Sequence, residues 1–219
     1  MSEHMALENL TVLDLTRVLA GPFCTMMLAD MGANVIKIEV PKGGDDTRSY
    51  PPFRAKNLNG ERESVYFANI NRNKKGITLN LKAPEGKEIF KELVKKADIV
   101  VENYRPGVMD KLGLGYDVLK EINPRIIYAA VSGFGCYGPY HLRPGYDILA
   151  QAMGGMMSIT GSKGGEPTRA GSALGDILGG LHVTIGILAA VNARTITGKG
   201  QRVDVSLMDS MIAATENTA

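Results

Sequence analysis

Tryptophan is absent from the 219 residues, and thiols and imidazoles are scarce: Cys24 and Cys136 are the only cysteines and there are three histidines. Two cysteines without regular spacing provide neither a disulfide framework nor a metal-ligand pattern, so no metal is expected and a reducing, cytoplasmic setting is. A one-sided charge excess is also missing. The net charge of +2, from 25 basic and 23 acidic residues, does not make a surface that coats a polyanion, and nucleic acid is not an expected partner. The sequence reads as lacking an apolar run of membrane-spanning length, and its start, with Glu3 and Glu8, lacks the apolar centre of a signal peptide. A membrane is likewise not expected.

What is present is an apolar fraction of 44%, enough at this length for one substantial core. Residues 11–15 form a short β-rich apolar run, and Pro22 suits the first turn of a helix ending near Met31. Residues 34–38 read as a second strand. Residues 41–62, rich in Gly, Pro, Asp and Lys, read as a long surface excursion, followed by strands at 64–67 and 76–81. Over residues 84–96, Ile89, Phe90, Leu93 and Val94 make a helical stripe, with Glu85 early and Lys95 and Lys96 late to complement the dipole. A strand at 99–101, helices within 107–122 broken around Gly113–Gly115, and a strand at 126–131 continue the alternation. Continuous apolar strands alternating with helices predict an α/β fold with a mostly parallel sheet covered on both faces.

Residues 154–175 are rich in Gly, Ser and Thr and read as loop. A helix follows, from near Asp176 to near Asn192, with the stripe Leu178, Leu181, Ile185 and Leu188. Residues 202–206 form a last strand, and a further apolar helix begins at Leu207 without a visible capping signal.

Gly133-Phe134-Gly135-Cys136-Tyr137-Gly138 matches the superficial dinucleotide-binding fingerprint G-x-G-x-x-G after a strand. Pro139 and then Pro144 and Gly145 prolong the loop, so no helix N-terminus is offered to a pyrophosphate, and nicotinamide binding is disfavoured. Cys136 reads as a small apolar filler before a nucleophile, and Cys24 as packing. Asp176, at the start of a helix after a glycine-rich stretch, reads by itself as a helix cap. A carboxylate there, kept ionised by the dipole and free amides, can also attack a thioester to give a mixed anhydride. Gly175, Gly179 and Gly180 would leave room for a bulky acyl thioester. The clusters 71–75 and 103–107, at strand boundaries, read either as solvated faces or as phosphate-holding Asn/Arg groups with Tyr104 as a flat surface for an adenine.

The stretches 13–22 (LDLTRVLAGP), 32–39 (GANVIKIE) and 97–107 (ADIVVENYRPG), with Asn73-Lys74-Lys75, Asn123-Pro124-Arg125, Ser132-Gly133-Phe134-Gly135 and Thr197-Gly198-Lys199-Gly200-Gln201, resemble the family III CoA-transferases. That group includes formyl-CoA transferase, carnitine CoA-transferase and the α-methylacyl-CoA racemases. The resemblance spans nearly the whole chain. It implies a Rossmann-like domain, here the N-terminal portion of a longer family architecture with its small domain and C-terminal return segment absent, in an interlocked homodimer or with a complementary C-terminal chain. It implies that Asp176 is the acyl-carrying nucleophile. It also implies coenzyme A contacts at Leu19 and Ala20, Val40, Asn71, Arg72 and Asn73, Asn103, Tyr104 and Arg105, Lys111, Arg143 and Tyr146. Val40 departs from members with an arginine there, so Lys37 or Lys42 would substitute. Leu19 departs from the glutamine of oxalate-using members.

The implied reaction moves CoA between an acyl-CoA and a carboxylic acid through an aspartyl anhydride, with CoA a substrate and no permanently bound cofactor. The alternative within the family is a racemase. It needs a histidine base where this sequence has Tyr146, and a phenol with an ordinary pKa near ~10 is a poor replacement. A non-catalytic CoA-binding or assembly subunit is the reading from a different class.

Overall fold

The computed structural model describes residues 4–54, 60 and 62–216. Six strands, β1 (Thr11–Asp14), β2 (Asn34–Glu39), β3 (Lys75–Thr78), β4 (Ile99–Glu102), β5 (Ile127–Ser132) and β6 (Arg202–Ser206), form one sheet in the order β3-β2-β1-β4-β5-β6. Every pairing is parallel. The chain winds outward from β1 to β3, returns to place β4 beside β1, and winds outward again. That reversal leaves a crevice beyond the carboxyl ends of β1 and β4, where open α/β sheets take their ligands.

Among the described residues eight α-helices flank the sheet: α1 (Ala20–Asp30), α2 (Val65–Ile70), α3 (Pro84–Val94), α4 (Val108–Leu112), α5 (Tyr116–Ile122), α6 (Asp147–Met153), α7 (Leu174–Thr197) and α8 (Leu207–Thr215). Alternate strand residues point to opposite faces. Val12, Ile99, Val101, Ile127 and Val131 pack with Cys24 and Leu28 of α1, Val183 and Ile187 of α7 and Met211 of α8. Leu13, Val100, Ile126 and Tyr128 pack on the other face with Phe90 and Val94 of α3, Met109 of α4 and Leu119 of α5.

Four expectations need correcting. The strand read at 64–67 is the start of α2, because the Ser64 hydroxyl accepts from Phe67 N at 3.2 Å and caps a helix that the β-favouring Val-Tyr-Phe run disguises. Helix α8 does carry a cap, with Ser206 accepting from Asp209 N. On α7 the bulky stripe is only partly buried: Leu178 and Leu188 pack against the core but Ile185 is 63% exposed, while Gly179, Gly180, Val183, Thr184, Ile187 and Ala190 are buried. A Cβ on Gly180 would stand 2.8 Å from the Ala20 carbonyl oxygen, so small residues are what let α7 lie against α1. Finally, α7 is by length and composition apolar enough to cross a membrane, with a mean hydropathy of 1.8 over its best window. The glycines, Asp176 and Arg194 hid this in the sequence, and the helix here lies between α1, β5, β6 and α8. Part of the excursion expected over 41–62 lies outside the described residues.

Candidate active site

A cavity of about 540 Å³ opens at the switch point. Its walls come from residues 17–20 after β1, 103–106 after β4, 131–133 at the end of β5, 143–146 before α6, and Asp176 with Leu207 from the starts of α7 and α8.

The wall after β1 is held by side chains from four directions. Asp14 accepts from Thr16 N at 2.9 Å and Thr16 Oγ1 at 2.5 Å. The Lys37 ammonium donates to the Thr16 carbonyl at 2.8 Å. The Asn103 side-chain amide brackets Arg17, accepting from its N–H at 2.9 Å and donating to its carbonyl at 2.7 Å. Asp45 Oδ1 accepts from Val18 N at 3.2 Å. Val18 has φ +67°, a left-handed conformation that a β-branched residue keeps only when its surroundings impose it.

Behind this wall lie buried charges of alternating sign. Lys74 Nζ is 3.0 Å from Asp14 Oδ2, and Lys37 Nζ is 2.9 Å from Asp45 Oδ2, with all four side chains at most 2% exposed. Burial by itself would raise the Asp14 pKa, but Lys74, Lys37 and the Thr16 and Thr25 hydroxyls bring it down to about 2. Asp45 is likewise held below the usual carboxylate range, with Lys37 and the Thr47 amide outweighing desolvation.

The opposite wall has a different plan. Asp147, first residue of α6, accepts from Gly175 N at 2.8 Å, from Gln151 Nε2 at 2.9 Å and from the Arg169 guanidinium at 2.7 Å. It is therefore Asp147, brought from another helix, that takes a free amide at the start of α7. Asp176 is not the cap: the N-cap position is Ala173, and Asp176 lies in the first helical turn. Its carboxylate has no hydrogen-bond partner among the described residues and faces the cavity. The expectation that the dipole keeps it readily ionised is overturned. Burial pushes its pKa up to about 7, and the Asp147 charge pushes the same way against the smaller opposing effect of Arg169. Near neutral pH such a group is partly ionised, and a more basic carboxylate is a better nucleophile.

The residues singled out in the sequence separate into groups. Leu19, Ala20, Asn103, Tyr104, Arg105, Arg143, Tyr146 and Asp176 line the one cavity. Val40 lines a neighbouring, largely apolar cavity of about 430 Å³, with Ile38, Pro41, Leu79 and Leu81, and Tyr104 and Val108 belong to both. Lys37 is a correction: it is buried against Asp45 and cannot meet a phosphate in solvent. Asn71, Arg72, Asn73 and Lys111 lie outside both linings. Asn71 accepts from Lys74 Nζ at 2.8 Å, Arg72 pairs with Asp30, and Asn73 donates to Asp30 at 2.7 Å. The glycines near Asp176 do not make room for a thioester, since a Cβ on Gly179 would stand 2.4 Å from the Leu207 side chain. The 133–138 loop continues without a helix until α6, as Pro139 and Pro144 require.

Sequence reasoning missed Asp45, Asp147 and Arg17. Arg17 lines the cavity with Arg105 and Arg143, giving it a cationic rim; Arg17 lies 3.5 Å from Asp46, and Arg143 stacks 4.2 Å from the Tyr140 ring centre. The only signal for Asp45 was an Asp-rich loop after a strand.

Comparison with known proteins bears on what such a cavity serves. The family described as CoA-transferase family III matches residues 7–219. A succinyl-CoA:mesaconate CoA-transferase of Haloarcula marismortui is 48% identical over 97% of the chain and 54% of its own length. A human succinyl-CoA:glutarate CoA-transferase is 46% identical over 100% of the chain and 49% of its length. The crystal structure of a CAIB/BAIF family protein from Brucella suis superposes with a TM-score of 0.93 at 45% identity, covering 98% of this chain and 56% of that one. The chain thus spans about half the length of the relatives it matches.

Proposed function

Since this chain belongs to CoA-transferase family III, we propose that it supplies the nucleophile and much of the CoA site of an enzyme that moves CoA from an acyl-CoA to a carboxylic acid. The observation that carries this reading is Asp176: a half-buried carboxylate with no hydrogen-bond partner among the described residues, raised toward neutrality, inside a cavity with an arginine rim.

An Asp176 oxygen attacks the thioester carbonyl carbon, the C–S bond breaks, and CoA leaves as a thiolate beside an aspartyl acyl anhydride. The acceptor carboxylate attacks the Asp176 acyl carbon and releases the first acid. The thiolate then attacks the acceptor's acyl carbon, yielding the new acyl-CoA and restoring the Asp176 carboxylate. Each step trades one activated acyl bond for another, so no outside energy is required. Arg17, Arg105 and Arg143 offer forked donors to phosphates or carboxylates, and the adjoining cavity beside Val40, Leu79 and Leu81 suits an adenine. The relatives named for succinyl, mesaconate and glutarate substrates favour dicarboxylic acyl groups and acceptors for this protein as well. The natural protein acts in this reading as a cytoplasmic homodimer. Racemisation is disfavoured because no histidine lines the cavity among the described residues.

The test uses the protein with succinyl-CoA and glutarate or mesaconate. Hydroxylamine should trap an acylated Asp176 when succinyl-CoA alone is supplied, and Asp176→Asn should lower turnover by roughly 10³-fold or more, as removal of a covalent nucleophile does. Near-normal turnover of that variant refutes the reading.

A further inference from the structure

Lys37, expected from the sequence to meet a phosphate, is withdrawn from solvent by the fold. Its ammonium joins two groups of the cavity's first wall, the Thr16 carbonyl at 2.8 Å and Asp45 Oδ2 at 2.9 Å. The other Asp45 oxygen accepts from Val18 N at 3.2 Å and from the Thr47 amide and hydroxyl at 3.0 and 2.8 Å. Asp45 is fixed from behind as well, because its own N–H donates to Glu39 at 2.8 Å, and Glu39 is gripped by Arg48.

We propose that Asp45 is a positioning residue for acyl transfer, acting through the Val18 amide to fix the wall formed by Arg17, Val18, Leu19 and Ala20 in the cavity it shares with Asp176, with Lys37 as its buried counter-charge. Three observations converge on this assignment. Val18 is held at φ +67°, which valine does not adopt unaided. The Asp45 acceptor is the hydrogen bond at that amide, and it comes from a loop 27 residues away in sequence. The wall and the nucleophile face one cavity, so a shift of the wall changes where a thioester lies relative to the Asp176 carboxylate. Asp45 does not line the cavity, so its effect passes through the backbone.

The inference rests on the transferase reading, and the experiment separates the two. In the protein, Lys37→Met/Asp45→Asn removes both charges and keeps an amide-accepting oxygen at position 45. Lys37→Met/Asp45→Leu is equally neutral and similar in volume but has no acceptor. With succinyl-CoA and glutarate, the first should hold kcat within about threefold of the parent. The second should lose about 100-fold in kcat, the scale of a misplacement of about 1 Å, when both are assayed well below their melting temperatures, since leucine also leaves the Val18 and Thr47 amides without their acceptor. Asp45→Glu serves if the leucine variant does not fold: it keeps the ion pair but displaces the acceptor oxygen, and kcat should fall at least tenfold. Equal kcat in the two double variants, or parental kcat in Asp45→Glu, overturns the proposal. Asp176→Asn is run beside them. If it stays active the transferase reading fails instead, whereas an inactive Asp176→Asn with indifferent position-45 variants sinks only the positioning role.

Discussion

On the β1 side of the cavity Asp14 and Asp45 each lie against a buried ammonium, whereas on the α7 side Asp176 lies near a second carboxylate and has no cation against it. The first arrangement lowers carboxylate pKa values and the second raises one, although burial pushes all three upward. Linkage gives the two sides opposite pH behaviour. Asp14, lowered from 3.8 to about 2, contributes stability that is present above the unfolded value and lost as pH falls through about 2. Asp176, raised from 3.8 to about 7, contributes stability that is present below 3.8 and lost as pH rises through about 7. One wall is built to hold its shape, and the other bears the cost of keeping a reactive carboxylate poorly solvated.

The sharpest way to break this contrast is to remove a partner from the rigid side. Asp14→Asn leaves Lys74, 1% exposed, without its counter-charge and should cost about 3–5 kcal/mol of stability in denaturant unfolding at pH 7. A loss below about 1 kcal/mol would mean that the buried charges are better solvated than the packing shows. On the other side, Asp147→Ala frees Gly175 N and leaves Arg169 unpaired, but that guanidinium side chain is 40% exposed and can turn to water. The expected loss is smaller, about 1–3 kcal/mol. Its more telling effect is on the rate profile. With the neighbouring negative charge gone and Arg169 released, the Asp176 pKa should fall from about 7, so the acid limb of kcat/KM moves to lower pH. An unmoved limb would show that Asp147 acts on helix α7 alone.

How far the sequence reveals these two sides follows from the range of the interactions. Strands such as Ile99–Glu102 and Ile127–Ser132 are continuous apolar runs, and helix α3 announces itself by Pro84 at its start and a spaced apolar face, so period and composition suffice. Ser64 misled because a single capping hydroxyl competes with a β-favouring run, and only the fold decides between them. The family resemblance pointed to Asp176, Leu19, Ala20, Arg143 and Tyr146, while strand-end position pointed to Asn103, Tyr104 and Arg105 and equally to the cluster 71–75, which lies outside the cavity. Asp45 and Asp147 were not legible, since each acts on an amide 27 or 28 residues away and nothing local marks either as more than an Asp near a loop or helix start. The approach of α7 to α1 through Gly180 was hidden for the same reason: the glycine matters for what lies across from it.

The smallest effect expected is also the one that isolates the reactive side. Asp176→Asn replaces a poorly solvated carboxylate by a neutral amide of nearly the same shape, so it removes a destabilising contribution that sets in once the unfolded parent chain begins to ionise Asp176. Below pH 4 the parent carboxyl is protonated in the folded state, and the two proteins should unfold alike. As pH rises above 3.8 the parent's unfolded chain is stabilised by ionising Asp176 while the folded carboxyl stays protonated up to about 7, so the variant should become the more stable of the two. Allowing for the partial exposure of Asp176, the gain at pH 8 should be on the order of 1–2 kcal/mol. Denaturant midpoints measured at pH 4, 6 and 8 would show the difference opening between pH 4 and about pH 7 and levelling off above that. The same variant should be inactive, so stability and turnover move in opposite directions, as they do when a site is kept reactive at the expense of the fold. If the variant is instead less stable than the parent at pH 8, Asp176 is a structural anchor of α7, and the contrast between the two walls does not hold.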